Sequence, residues 1–176
     1  MTSISPALAA LLGLALTLPL HAETLGEKTG VNSALDIAPT TKDFVTEAAI
    51  SDMFEIQSSK LAEQRADEAT KKFAAKMIED HSKSTSELKP LATKAKTPVP
   101  TEMDSSHKSL LSKLQGLKGK DFAQQYHSDQ VTAHKQAVSL FQRYGKGGDN
   151  DDLKTFASKT LPTIQDHLKM AQDLDK

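Results

Sequence analysis

The stretch Asp67-Glu68-Ala69-Thr70-Lys71-Lys72-Phe73-Ala74-Ala75-Lys76-Met77-Ile78-Glu79-Asp80-His81 decides the fold class. Its apolar residues fall at Phe73, Ala74, Met77 and Ile78, and Leu88 continues the same face. Steps of three and four residues belong to an α-helix, whereas a half-buried strand would alternate. Asp67 is a good capping residue for the free amides of the first turn. His81 lies one turn past Met77 and two past Phe73, so it sits on the apolar face. Pro90 lacks an amide hydrogen and crowds the preceding turn, so it is expected to kink or end this helix.

The same reading extends in both directions. Upstream, Pro39-Thr40-Thr41 opens a helix that runs to about Arg65, with Phe44, Val45, Ala48, Ala49, Met53, Ile56 and Ala62 at helical spacing. Downstream, Lys96-Thr97-Pro98-Val99-Pro100 is a break. Asp104-Ser105-Ser106 can then start a short helix through Leu110, Leu111 and Leu114, before Gly116 and Gly119 interrupt. A third long helix is predicted from about Lys120 to Tyr144, with Phe122, Tyr126, Val131, His134, Val138 and Phe141 as its stripe. Gly145-Lys146-Gly147-Gly148-Asp149-Asn150 reads as a stop and restart. The fourth helix carries Leu153, Phe156, Ala157, Leu161, Ile164, His167, Leu168 and Ala171, and Pro162 should bend it. No stretch reads as a strand. The predicted class is all-α, a four-helix bundle over residues 39–176.

A weak internal repeat supports a bundle made of two hairpins. Phe73-Ala74-Ala75-Lys76 followed by Ile78-Glu79-Asp80-His81 is matched by Phe156-Ala157-Ser158-Lys159 followed by Ile164-Gln165-Asp166-His167. The preceding helices line up loosely, with Glu55, Gln57 and Leu61 answering His134, Gln136 and Leu140.

Residues 1–22 read as a signal peptide: an apolar run from Ala7 to Leu18, then Pro19-Leu20-His21-Ala22, with cleavage expected after Ala22. The run is roughly 12 residues, short of the ~20 that span a bilayer. No Lys or Arg precedes it, so an uncleaved amphipathic anchor stays open as an alternative. Residues 23–38 are polar, contain Gly26 and Gly30, and read as a flexible lead-in. No transmembrane span is expected in the mature chain, whose predicted location is the periplasm.

Composition removes several functions. The absence of cysteine excludes thiolate ligands, disulfides and a lipidated cysteine. With 22 Lys and Arg against 23 Asp and Glu, interspersed, no field marks a nucleic-acid partner. Trp is absent and Tyr scarce, so stacking platforms for single strands are missing. No nucleophile–base arrangement, phosphate loop or hydride-cofactor fingerprint occurs. Oligomeric state and protein partners leave no mark in the sequence.

Four ionisable residues occupy core-facing positions, one per long helix: Glu55, His81, His134 and His167. A simple up-down-up-down bundle would leave His167 well apart from the others. The linker from Lys96 to Gly119 is long enough to cross the bundle instead. A crossover makes the second and third helices parallel and places all four residues about 14 to 22 Å from one end. Neutral imidazoles with a carboxylate suit Fe, Zn, Cu or Ni, and bundles build metal sites from facing helices. A buried hydrogen-bond network between the same groups, in a structural or partner-binding bundle, is the other reading. Glu-x-x-His, the pair used by di-iron carboxylate bundles, is absent, so a ferroxidase site is not expected. Asp80 and Asp166 stand next to their histidines and point about 100° away. They are expected to orient a histidine on a neighbouring helix or to face solvent. His127 competes with Tyr126 for the inward position, and Asp104, ahead of His107, is read as a helix cap.

Taken together, Glu55, the Phe73-Ala74 to Asp80-His81 block, Phe122 to Tyr126, His134 with Phe141, and Leu161-Pro162 to His167 resemble an exported bacterial family of unknown function. That family is placed in the ferritin-like superfamily, and its members are often labelled periplasmic or outer-membrane proteins. The resemblance implies a ferritin-like bundle and export; a role in metal handling or envelope stress is the expectation raised by the layer of Glu55, His81, His134 and His167. The resemblance supplies no activity.

Overall fold

A computed structural model describes residues 30–174, so the expected leader and the first part of the lead-in lie outside the described residues. Six helices follow in order: α1 (Val31–Ala34), α2 (Thr41–Arg65), α3 (Glu68–Lys94), α4 (Ser105–Gly116), α5 (Gly119–Gly147) and α6 (Asp151–Leu174). No strand occurs among the described residues. The architecture is an all-α bundle built on the four long helices. No helix among the described residues is long and apolar enough to cross a membrane.

Helix starts follow the capping chemistry of the sequence. Thr40 Oγ1 accepts from the Asp43 amide (3.1 Å) and donates to the Asp43 carboxylate (2.9 Å), so cap and first turn secure each other. Asp67 accepts from the Thr70 amide, Asp104 from the His107 amide and Asn150 from the Leu153 amide. Pro90, expected to kink or end its helix, does not end it, and Pro162 lies inside its helix as expected. Helix α3 passes through Pro90 to Lys94, and α6 passes through Pro162 to Leu174. Each proline faces solvent between buried anchors, Leu88 and Ala92 in one case and Ala157 and Ile164 in the other. Packing on both sides keeps each helix going through the missing proline hydrogen bond.

Helix α5 also outlasts its predicted end and runs to Gly147, because Arg143 and Tyr144 are packed inside. The turn then falls at Gly148, where an added Cβ would come within 2.7 Å of both the Tyr144 ring and its carbonyl oxygen. Gly148→Ala is therefore expected to cost about 1–3 kcal/mol, the range for forcing a methyl into packed structure. Chemical denaturation measures that loss.

Two antiparallel hairpins, α2–α3 and α5–α6, make the bundle. Tyr126 bonds Ser59 (2.8 Å) and Tyr144 bonds Thr41 (2.6 Å), so α2 and α5 run in opposite directions. Thr70 bonds His127 (2.9 Å), which sets the starts of α3 and α5 side by side and parallel. The intervening chain returns along the bundle as a crossover that contains α4. Helix α4 covers the outer side of α2, where His107 packs edge-on against Phe54 at 5.6 Å. This cover changes the predicted stripe of α2. Ile50 and Phe54 are buried, while Met53 and Ile56, expected inside, are only half-buried. The described end of the lead-in lies on α5, with the Ile37 carbonyl accepting from Arg143 (2.7 Å) and Asp36 paired with Lys146 (2.6 Å).

The apolar interior falls into two clusters. One gathers Phe44, Leu88, Phe141, Tyr144, Phe156 and Ile164; the other gathers Phe54, Met77, Leu114, Phe122, Tyr126 and Ala171. Along every long helix the polar core residue stands between members of the two.

Candidate metal centre

The crossover brings the three histidines to one height. The rings of His81 and His134 are 5.6 Å apart, those of His81 and His167 5.4 Å, and those of His134 and His167 5.4 Å. None of the three is more than 5% exposed. One nitrogen from each ring lies within 4.8 Å of the other two.

The outer nitrogens are all engaged. His81 Nδ1 pairs with Asp52 at 2.8 Å, His134 Nδ1 with the Gln130 carbonyl at 2.8 Å, and His167 Nε2 with Asp80 at 2.7 Å. An ionised carboxylate and a carbonyl can only accept, so each outer nitrogen carries a hydrogen and the inner one of a neutral ring presents a lone pair. Those inner atoms, His81 Nε2, His134 Nε2 and His167 Nδ1, are buried without a hydrogen-bond partner. A single orphaned polar atom of this kind costs about 1–3 kcal/mol. With all three rings neutral, the converging lone pairs would also repel one another. A shared cation relieves both penalties.

Glu55 stands beside this triangle. Its Oε1 is 3.8 Å from His134 Nδ1, the nitrogen turned towards Gln130, and neither carboxylate oxygen completes a hydrogen bond. Burial pushes its pKa up to about 7, against the pull of the His81 charge and the Gln130 side chain. Burial likewise drives His134 down to about 3, helped by the His81 charge. For His167, burial lowers the value to about 4 despite the Asp80 hydrogen bond. His81 goes the other way: burial opposes its charge, but the Asp52 hydrogen bond and charge, with Glu55 and Asp80 behind them, raise it. At neutral pH His134 and His167 are neutral and ready as ligands, whereas His81 keeps its proton to a higher pH than an ordinary histidine.

Positions matched by the internal repeat meet in space. His81 faces His167, and Glu55 faces His134. The packing of the two hairpins brings these equivalent residues together. Asp80, expected to serve a neighbouring helix, does so through His167, while Asp166 is exposed. Sequence reasoning missed Asp52, which also accepts from Thr85 at 2.9 Å. Its signal was available: it precedes Glu55 by three residues and shares the inward face. His127 bonds Thr70, His107 bonds Asp104, and Tyr126 bonds Ser59, so none joins the triangle. Because an outer partner fixes ring orientation, Asp52→Asn is expected to weaken metal binding about 10- to 100-fold. Competition with a chromophoric chelator reads that change.

The sequence profile of a family described as a domain of unknown function (DUF4142) matches residues 26–174. No curated protein matches the chain. Among solved structures, CopM in the Cu(II)-bound form is similar, with a TM-score of 0.66 and 17% identity over 79% of this chain and 97% of that one. At this identity the likeness is one of fold.

Proposed function

The chain belongs to the family described as a domain of unknown function (DUF4142), and for it we propose the binding of one transition-metal ion at His81 Nε2, His134 Nε2 and His167 Nδ1. The observation that carries this reading is a trio of buried histidines, one nitrogen of each within 4.8 Å of the others, each ring keeping one buried nitrogen without a partner. Atoms so placed surround a point under about 3 Å from each, against ~2.0–2.1 Å for a metal–imidazole bond. A small inward shift closes the set. Asp52, Asp80 and the Gln130 carbonyl hold the rings, and Glu55 supplies compensating negative charge beside His134. Imidazole suits Fe, Zn, Cu and Ni, and copper(II) stands highest in the affinity order. The similar fold is described in a Cu(II)-bound form, so Cu(II) is the first ion to test.

Metal-free protein given Cu(II), Zn(II), Ni(II) or Fe(II) and then desalted is expected to retain about one ion per chain, with thermal stabilisation. An ion at 100 times its dissociation constant adds about 2.7 kcal/mol. Protein that keeps no ion and gains no stability overturns the reading. One observation favours a second reading, a structural or partner-binding bundle. His81, with its raised pKa beside Asp52, can hold a proton inside the triangle and satisfy it without metal. A stability loss in metal-free His81→Leu protein would favour that network. We also place the function outside the cytoplasm, in metal handling or stress defence of the cell envelope, on the strength of the leader in residues 1–22. The mass of the exported product tests removal of that leader.

A further inference from the structure

The histidines are closed off on most sides. Above and below them lie the two apolar clusters, and a hydrated ion does not cross layers of Phe and Leu. Behind His134 the packing is equally tight, with Gln130 fully buried, Glu55 1% exposed and the Phe73 ring 6.5 Å away.

The side between α3 and α6 differs. A small pocket there reaches His81 and His167, and its other polar lining includes Asp52, Asp80, Ser84, Thr160 and Thr163. Thr163 is exposed, Ser84 and Thr160 are half-buried, and the Asp80 side chain keeps 22% of its surface open to solvent. Hydroxyls and the Asp80 carboxylate are partly open to solvent, and Asp52 and the imidazoles are buried behind them. Such a series lets an ion trade water for oxygen ligands before it meets nitrogen, so no step leaves it bare. Lys76 pairs with Asp80 at 2.9 Å and so sets a positive charge beside a carboxylate that lines the pocket.

We propose that the metal ion enters and leaves the three-histidine site along the seam between α3 and α6, past Ser84, Thr160 and Asp80. This inference rests on the metal-binding reading above, and the two can fail separately. The path does not set the equilibrium affinity. It sets the rates of loading and release together, since both use the same opening.

The test is stopped-flow uptake of Cu(II) by the metal-free full-length chain, paired with equilibrium titration. Ser84→Leu/Thr160→Leu keeps both helices in good helix-forming residues and fills the opening. It is expected to slow uptake about tenfold while the dissociation constant stays within about twofold, as expected when access alone is restricted. Lys76→Gln leaves the packed interior alone and removes the charge beside Asp80. It is expected to speed uptake about twofold to fivefold at low salt, with the gain fading as ionic strength rises. Unaltered uptake rates in both variants, with Cu(II) still bound, overturn the path and leave the site standing. Slowed uptake with an equally weakened equilibrium also overturns the path, because the leucines would then be damaging the site. Wild-type protein that takes up no Cu(II) overturns both.

Discussion

His134→Leu is expected to lower the affinity for Cu(II) by more than about a hundredfold, beyond the range seen when only an outer partner of a ligand is lost. It should do so without weakening the metal-free fold by more than about 1.5 kcal/mol, the usual ceiling for a swap of similar volume in a core. The two halves have one cause. His134 is 1% exposed, lies against the Phe73 ring at 6.5 Å and offers Nε2 to no donor. In metal-free protein that nitrogen is a liability, and leucine removes it. The hydrogen bond from Nδ1 to the Gln130 carbonyl goes too, but that oxygen already belongs to the helix ladder. With metal present, the same substitution deletes one of three ligands. Equal binding by the variant would remove the case for the site. A metal-free variant that unfolds several kcal/mol more easily would instead mark His134 as part of a stabilising network.

Acidification is expected to act on metal-bound and metal-free protein in different ways. Binding requires His81 to give up a proton, and its pKa stands above the ordinary 6.5. Below that point the affinity for metal should rise about tenfold per pH unit, one proton being displaced per ion. Glu55, at about 7, sheds a second proton over part of the same range and steepens the rise. His134 and His167, at about 3 and about 4, cost none. In the metal-free protein those two depressed histidines dominate. Near pH 5 to 5.5 the unfolded chain binds about two protons there that the folded chain refuses, while folded Glu55 keeps one that the unfolded chain has mostly released. The difference, 2 − 1, leaves one proton in favour of the unfolded state. Stability from this cluster should therefore fall there at about 1.4 kcal/mol for each pH unit of acidification. The raised His81 contributes fully below 6.5 and loses its share only above its own folded pKa, so it is silent in this window. His134→Leu removes one of the two refusing groups and should flatten the slope to near zero. Denaturation midpoints across pH 4.5–6.5 check both profiles, and a wild-type curve that is flat or opposite in sign rules the assignment out.

The amino-acid sequence by itself determined the all-α class, the helix starts and the four polar residues on inward faces. It could do so because periodicity and capping act within a few residues of chain. Asp67, Thr40 and Asp104 cap where their side chains reach the next turn, whatever the rest of the molecule does. The same locality misled it at Gly145 to Gly147, where distant side chains packed against the helix outweigh a local breaking tendency, and it left open whether Pro90 ends its helix. Met53 and Ile56 were misplaced for a similar reason: the cover over α2 comes from α4, about fifty residues away along the chain. Only the tertiary structure decided that His81, His134 and His167 share one height while Glu55 stands to the side. It alone turned Asp52 and Asp80 onto the outer nitrogens, left three inner nitrogens facing one another, and opened a polar seam between α3 and α6. Such relations depend on the direction in which α5 crosses the bundle and on rotations of whole helices about their axes. Neither quantity is stored in any short run of residues; both are set when two hairpins bury their apolar faces against each other.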